Sequence, residues 1–310
     1  MNKKIPVWID ADTGVDDAMA LVCALKSKEL DVVGVSAVCG NVPLEDTFRN
    51  ARDVLSLLKR EDIKVYKGSD KPLEKPLHTA KYFHGNNGLG GVNLPPSKAE
   101  LEKVDAWDGL YEKAKELDGQ LVVIAIGPLT NIAKAIIKHP DLNKYVKKIA
   151  IMGGGIKKGN VTKYAEFNIF VDPEAARIVF EYDIEKIMCG LDVTHKAYIT
   201  YDELADLKNY GNDVADLIYE ATRGAEEDSK RRGKPGLYCH DVCPVFYLTH
   251  PEWFKGLNAH VEVITEGEQE GRTLSDIDVM DKKHEANTNV ILGLNRLAFV
   301  AMMQEIYKNC

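Results

Sequence analysis

The feature that most constrains the fold is an alternation of short apolar runs with longer segments of helical periodicity. Runs rich in β-branched residues predict strands, and apolar residues spaced three and four apart predict amphipathic helices. Strands are predicted at residues 5–9, 31–38, 63–68, 121–127, 147–154 and 185–191, and helices at 16–27, 44–60, 129–139 and 172–182. The last helix begins with a capping signal, Asp172 followed by Pro173. This alternation predicts an α/β fold with a mostly parallel, Rossmann-like open sheet covered by helices on both faces.

No linker or break in composition divides the chain, so a single domain spanning residues 1–310 is predicted. Open parallel sheets bind ligands beyond the carboxyl ends of their strands. Polar and glycine-rich segments follow the predicted strands at that end, at residues 10–17, 39–41, 127–131 and 152–155. We therefore expect the functional site to be assembled from these segments.

The composition excludes several classes of protein. A formal net charge of -8 argues against binding to nucleic acid or to an anionic membrane surface, and favours a small-molecule partner. The first apolar run ends at Asp10, too early for a signal peptide, and no stretch reaches the roughly 18 apolar residues of a membrane span. Six scattered cysteines without framework spacing predict reduced thiols. A cytoplasmic location is therefore expected.

Four carboxylates lie in the stretch IDADTGVDD, directly after the first predicted strand. One interpretation is local: Thr13 caps a helix, and Asp16 and Asp17 occupy its first turn, where the helix dipole favours acids. The other is a metal site, because Asp10 and Asp12 point the same way and charges ~4 Å apart repel by about 4 kcal/mol at an effective dielectric near 20. Carboxylates without Cys or His select a hard cation, and calcium tolerates a crowded oxygen shell better than magnesium. The stretch by itself leaves both interpretations open.

The same stretch also resembles the nucleophile motif of haloacid-dehalogenase-type phosphatases. In that alternative Asp10 takes a phosphoryl group and Asp12 protonates the leaving group. The match is confined to these residues, since the downstream Lys and acidic pair of such an enzyme have no convincing counterpart.

Three further segments carry candidate binding groups, each with a purely structural alternative. His84 heads a glycine-rich stretch that is otherwise typical of a surface turn. Glu166 and Asn168 lie two apart, on one side of an extended segment, where they suit a vicinal diol or form an exposed strand edge. His240 and Asp241 precede an apolar run, where Asp241 can also serve as a helix cap.

Taken together, these segments resemble the inosine-uridine nucleoside N-ribohydrolase family, from about residue 5 to residue 300. The family motif DxDxGxDD is matched by Asp10, Asp12, Gly14, Asp16 and Asp17. Further matches are GN at 40–41, HGxxGLGG at 84–91, GPLTN at 127–131, MGG at 152–154, Asn160, AEFN at 165–168, DPEAA at 172–176 and HD at 240–241. Thr13 and Val242 stand where the family usually has proline.

The resemblance implies a calcium-dependent hydrolase that cleaves the N-glycosidic bond of ribonucleosides. Calcium would be held by the side chains of Asp12, Asp17 and Asp241 and by the backbone carbonyl of Ile126. Ribose hydroxyls would be bound by Asp16, Asn41, Glu166 and Asn168, with Asn160 at the 5′-hydroxyl and Phe167 lining the sugar pocket.

The resemblance also implies roles in catalysis. Asp12 would be the general base for a metal-activated water, and His240 would be the acid that protonates the leaving nucleobase. His84 would lie near the nucleobase, and Asp10 would stand behind the metal ligands. Inosine, uridine and cytidine are the expected substrates, selected by the segment 219–238, and a homodimer or homotetramer is expected. A nucleoside-binding protein without turnover is the non-enzymatic alternative.

Overall fold

A central sheet of eight strands organises the chain, whose residues 3–279 and 284–310 are described by a computed structural model. The strands within these residues are β1 Ile5–Ala11, β2 Leu30–Ala37, β3 Val65–Lys67, β4 Leu121–Ala125, β5 Val146–Met152, β6 Glu185–Cys189, β7 Tyr198–Ile199, β8 Leu237–Tyr238, β9 Phe254–Ala259, β10 Val261–Val263, β11 Thr273–Ser275 and β12 Thr288–Leu294. The sheet order is β3-β2-β1-β4-β5-β6-β12-β9, and all neighbours are parallel except β12 and β9. Two small antiparallel pairs, β7 with β8 and β10 with β11, lie outside it.

The helices connect the strands and cover both faces of the sheet. Those in the described residues are α1 Val15–Lys26, α2 Leu44–Leu57, α3 Lys81–His84, α4 Ala106–Glu116, α5 Thr130–Lys138, α6 Phe167–Val171, α7 Pro173–Glu181, α8 Leu191–Thr194, α9 Tyr201–Ala205, α10 Asp213–Arg231, α11 Val242–Thr249 and α12 Arg296–Lys308. Single 3-10 turns occur at Leu142–Lys144, Asp206–Asn209, Pro251–Trp253 and Gly267–Gln269. None of the helices in these residues is long and apolar enough to cross a membrane.

The core consists of two apolar layers, one on each face of the sheet. Successive side chains of a strand point to opposite faces, so Val7 and Ile9 pack in the layer that contains α1, α2, α10, α11 and α12. Trp8 packs in the opposite layer, with residues of α4, α5 and α7. Strands buried on both sides have no polar face, which explains why they stand out in the sequence as continuous apolar runs.

The predicted α/β fold with a covered, mostly parallel sheet is confirmed. The six predicted strands correspond to β1 to β6, and the four predicted helices to α1, α2, α5 and α7. Asp172 caps α7 as predicted, since its side chain accepts a hydrogen bond from Ala175 N at 3.0 Å. That residues 1–310 form one domain stays a prediction.

The sheet order places the candidate site. From β3 to β6 the order is 3-2-1-4-5-6, so the connections leave β1 towards one side and β4 towards the other. A crevice opens outside the carboxyl ends of two strands at such a reversal. Residue 12 follows β1 and residue 126 follows β4 at this point.

Candidate active site

A cavity of about 360 Å³ lies at the carboxyl ends of β1, β4 and β5. This volume lies within the range of small-molecule sites. It is lined by nearly all of the residues that the sequence predicts for the site, namely Asp12, Asp16, Asn41, His84, Ile126, Asn160, Glu166, Phe167, Asn168, His240 and Asp241. Asp17, the remaining predicted residue, is fully buried immediately behind this lining. The structure thus brings the predicted residues to one place from segments far apart in the sequence.

Four carboxyl groups, which we call the acidic cluster, form the floor of the cavity: Asp12, Asp16, Asp17 and Asp241. Asp16, Asp17 and Asp241 each offer an oxygen within 4.8 Å of the other two. Burial, followed by repulsion from Asp17, raises the pKa of Asp12 well above its ordinary value, and burial with repulsion from Asp16 does the same for Asp241. The pKa of Asp16 is raised to about 7 by the same two causes. The cluster is therefore electrostatically costly in its ionised form.

Two oxygens of the acidic cluster have no hydrogen-bond donor in the described chain, which bears on whether a cation would fit there. Asp12 Oδ1 and Asp17 Oδ1 are buried and have no hydrogen-bond donor among the described residues. Buried carboxylate oxygens without donors are unfavourable unless a positive charge compensates them. The atoms that the cluster offers as ligands are carboxylate oxygens, which suit a hard divalent cation. A hard cation therefore fits this cluster.

The start of α1 is shaped by backbone contacts to the acidic cluster. Gly14 N donates to Asp17 Oδ2 at 2.9 Å, and Asn41 donates through its backbone N to Asp12 Oδ2 at 2.7 Å and through Nδ2 to Asp17 Oδ2 at 3.0 Å. The predicted cap at Thr13 is wrong, because Gly14 occupies the N-cap position and Thr13 Oγ1 has no partner in the described chain. Asp16 and Asp17 do occupy the first turn of α1, as predicted, so the helix start accounts for these two acids but not for Asp12 or Asp241.

Asp10 lies behind the cavity lining. Its carboxylate accepts hydrogen bonds from Ser36 Oγ and, at 2.7 Å, from Asn131 Nδ2, and its side chain is fully buried. Burial raises its pKa to about 7. The phosphatase alternative requires Asp10 to attack a substrate, whereas this fully buried side chain does not line the cavity.

Glu166 and Asn168 both reach the cavity, but from a helix. The predicted extended segment is wrong because Glu166 caps the short helix α6, accepting from Asn168 N at 3.0 Å and from Ile169 N at 3.3 Å. Its Oε2 also accepts from Gly154 N at 2.9 Å, and burial raises its pKa to about 7. Asn168 Nδ2 donates to the carbonyls of Ile126 and Met152, at 2.9 and 3.0 Å. Both side chains are thus fixed before any ligand arrives.

Asn160 and Phe167 form the adjoining wall. Asn160 Oδ1 accepts a hydrogen bond from Phe167 N at 3.0 Å, which ties the loop after β5 to the first turn of α6. The Phe167 ring is 8% exposed and packs with Ala80 and Val171. This wall is apolar at the ring and polar at Asn160.

Two histidines stand above the acidic cluster. His84 Nδ1 accepts a hydrogen bond from Val15 N at 3.1 Å, and His240 Nδ1 lies 2.8 Å from Thr194 Oγ1. Burial lowers the pKa of each imidazole to about 3, so both rings are neutral at pH 7.

Asp241 precedes α11, but its side chain makes no capping hydrogen bond. Asp241 thus occupies the N-cap position of α11, as the structural alternative has it, but capping does not account for its carboxylate.

Part of the cavity wall consists of residues that were not predicted from the sequence. His195 follows α8, and Tyr238 lies in β8; both line the cavity beside His240. The end of α10 and the loop after it add Asp228, Ser229, Arg232 and Lys234. His195 lies in no recognisable motif, so only its position in the fold reveals it. Part of the segment 219–238 thus lines the cavity, and its role in selecting the nucleobase stays a prediction.

A second depression, of about 990 Å³, lies at the opposite end of the sheet, where β6 and β12 begin. It is larger than the cavity described above, and Lys186 and His260 are among its lining residues. None of the predicted site residues lines it. The acidic cluster and both neutral histidines thus belong to the carboxyl end of the sheet.

Comparison with known proteins agrees with this geometry. The family model described as inosine-uridine preferring nucleoside hydrolase matches residues 7–301. The pyrimidine-specific ribonucleoside hydrolase RihA of Escherichia coli O1:K1 / APEC is 37% identical over 307 residues, covering 98% of each chain. RihA of Klebsiella pneumoniae strain 342 is 38% identical over 304 residues, covering 97% of each chain.

Solved structures agree over the same length. The plant nucleoside hydrolase PpNRh1 has a TM-score of 0.94 at 31% identity, covering 99% of this chain and 100% of its own. The purine-preferring ribonucleoside hydrolase from Gardnerella vaginalis has a TM-score of 0.92 at 30% identity, covering 98% of both chains. With an acidic cluster, polar groups and histidines around one cavity and these matches along the whole chain, the protein belongs to the inosine-uridine preferring nucleoside hydrolase family and is an N-glycosyl hydrolase.

Proposed function

We propose that this enzyme hydrolyses the N-glycosidic bond of ribonucleosides in a calcium-dependent reaction, with uridine and cytidine preferred and inosine accepted. The preference for pyrimidines rests on the relatives at 37% and 38% identity, which are named as pyrimidine-specific. A homodimer or homotetramer and a cytoplasmic location stay predictions from the family resemblance.

One observation carries the proposal. Donor-free, buried carboxylate oxygens of Asp12 and Asp17 lie in the same site as Asn41, Glu166 and Asn168, which can bind neighbouring hydroxyls. The site can thus bind a cation and a vicinal diol at the same time, as metal-assisted hydrolysis of a ribonucleoside requires.

We assign the cation to Asp12, Asp17, Asp241 and the backbone carbonyl of Ile126. When bound, calcium would neutralise the cluster and lower the pKa of a coordinated water. Asp16 stands in the same cluster, although the resemblance assigns it to the ribose hydroxyls. One carboxylate can accept from a hydroxyl through one oxygen while its other oxygen faces the cation, so the two assignments are compatible.

The residues around the ribose would stabilise the developing charge. Breaking the C1′–N bond leaves positive charge on the ribose ring, and carboxylates fixed before reaction stabilise it without reorganising. Glu166 is held by three backbone N–H groups and Asn168 by two carbonyls, so both can orient the 2′- and 3′-hydroxyls. Asn160 would bind the 5′-hydroxyl and Phe167 would cover the ring.

Asp12 is the proposed general base. Asn41 N donates to its Oδ2 and no donor among the described residues reaches its Oδ1, so a carboxylate that faces the cation can also take the proton of the water that attacks C1′. The electron pair of the C1′–N bond leaves with the nucleobase, and the nucleobase therefore needs a hydrogen-bond donor or a proton. His240 is proposed for that role and His84 for contact with the base.

The test is ribose release from uridine, cytidine, inosine and adenosine, with and without removal of calcium by a chelator. We expect chelator-sensitive release that is fastest with the pyrimidine nucleosides and is restored by calcium. Asp12→Asn should abolish release, whereas Asp31→Asn, at an exposed position of β2, should not alter it. Undiminished release after complete calcium removal would contradict the metal dependence.

A further inference from the structure

Thr194 lies outside the cavity lining but touches one of its histidines. It is the last residue of α8, which follows β6, and its side chain is fully buried. Its Oγ1 lies 2.8 Å from His240 Nδ1. The contact joins two segments that are far apart in the sequence, and no motif discussed above includes Thr194.

The direction of this hydrogen bond follows from the surroundings of the hydroxyl. A threonine hydroxyl has one proton to donate, and a buried donor without an acceptor is strongly unfavourable. In the part of the chain that the structure describes, His240 Nδ1 is the sole acceptor within reach of Thr194 Oγ1. The hydroxyl therefore donates to Nδ1, and the ring carries its own proton on Nε2.

His84 shows the same arrangement with a donor whose direction is unambiguous. A backbone N–H, that of Val15, donates to His84 Nδ1 at 3.1 Å, so the proton of this neutral ring also lies on Nε2. Both His84 and His240 are thus held through Nδ1 by the protein. Each leaves an Nε2–H group for a ligand.

We propose that Thr194 is a positioning residue that holds His240 in the Nε2–H tautomer, so that His240 donates a hydrogen bond to the departing base. The proposal rests on the proposed function, because it concerns how the base leaves.

The tautomer decides whether the ring helps or hinders the reaction. When the C1′–N bond breaks, both of its electrons go to the base, and an Nε2–H group aimed at an acceptor atom of the base stabilises that charge. The other tautomer would present a lone pair and repel it. No proton has to leave the imidazole in this step, as in enzymes that use a neutral histidine as an electrophile.

The first experiment compares Thr194→Val with Thr194→Ser on two substrates. Uridine has a poor leaving group, whereas the para-nitrophenolate of para-nitrophenyl β-riboside is a stable anion that needs no donor. We expect Thr194→Val to lower kcat on uridine by roughly ten- to hundredfold, with little change in KM, and to leave the aryl riboside within about threefold. Thr194→Ser should restore the rate on uridine. Equal losses on both substrates would indicate a merely structural role and overturn the proposal.

The second experiment observes the tautomer directly in the wild-type enzyme. Heteronuclear NMR of the histidine ring nitrogens distinguishes a protonated from an unprotonated nitrogen. We expect His240 to carry its proton on Nε2, and a proton on Nδ1 would overturn the proposal even if Thr194→Val did not fold. A wild-type enzyme that cleaves neither substrate would refute the proposed function instead, and the NMR result would still decide the tautomer.

Discussion

The acidic cluster should bind calcium with release of protons, so that its calcium affinity falls steeply as pH is lowered. The reason is that the free cluster cannot keep all of its carboxylates ionised. The perturbation is a change of pH. The size of its effect on calcium affinity can be worked out from the spacing and the pKa values of the carboxylates.

The oxygens of Asp16, Asp17 and Asp241 lie within 4.8 Å of one another. Two ionised carboxylates at that spacing repel by about 3.5 kcal/mol at an effective dielectric of about 20, and three by about 10 kcal/mol. Burial raises the pKa of Asp17 to about 6, and burial followed by repulsion from Asp17 raises that of Asp16 to about 7. At neutral pH the free cluster therefore holds protons that a cation must displace.

Each displaced proton makes the affinity change about tenfold per pH unit, which is about 1.4 kcal/mol. With about one to two protons displaced, calcium affinity should fall roughly 10- to 100-fold when the pH drops by one unit from near neutrality. Isothermal titration calorimetry in two buffers with different protonation enthalpies measures both the affinity and the number of protons released.

Two variants make this prediction specific to the cluster. Asp241→Asn should weaken calcium binding and release about one proton fewer than the wild type. Asp31→Asn removes a carboxylate from an exposed position and should change neither quantity. A calcium affinity that stays constant between about pH 6 and 8, with no proton release, would refute the reasoning.

Three further predictions concern neighbouring parts of the site. Without calcium, the free energy of unfolding of the wild type relative to Asp10→Asn should decrease by up to about 4 kcal/mol as pH rises from 4 to 8, because burial raises the pKa of Asp10 from 3.8 to about 7 and so favours its neutral form in the folded state; thermal melts of both proteins across this range measure it. Gly40→Ala would place a β-carbon against the Asp12 carboxylate and should lower calcium affinity and kcat by at least about tenfold, whereas Gly224→Ala, in open space on α10, should leave both unchanged in calorimetry and ribose-release assays. Asn168→Leu leaves two buried carbonyls without their donor and should lower the free energy of unfolding by about 2–4 kcal/mol in urea titrations; an unchanged urea midpoint would contradict it.

The strands that could be predicted are those whose burial is visible in their composition. β1 and β4 are buried on both faces, so they appear as apolar runs with sharp ends. β9 and β12 were not predicted, because the four central residues of β9 are exposed and β12 is only partly buried. Neither strand therefore has the continuous buried apolar run by which β1 and β4 are recognised.

The residues of the site also fall into two groups: those that a nearby sequence pattern marks and those that no such pattern marks. Asp12 and Asn41 follow strands directly, and the topology of an open parallel sheet brings such residues together. Thr194 and His195 have no local signal, because their importance comes from lying beside His240, in a distant part of the chain. The conformation at Glu166 was missed because its side chain, as an N-cap, turns an apparently extended segment into a helix.

The buried indole of Trp8 gives the enzyme an internal optical reporter. Trp8 Nε1 donates to Ser36 Oγ at 2.8 Å, and the same hydroxyl donates to the carboxylate of Asp10, so the chromophore and the acid are linked through one oxygen. A change of charge on Asp10 alters the field along that link and hence the emission of a tryptophan that water does not reach. Events at the carboxyl end of β1 can thus be followed through the contribution of Trp8 to the intrinsic fluorescence, once Trp107 and Trp253 are replaced by phenylalanine.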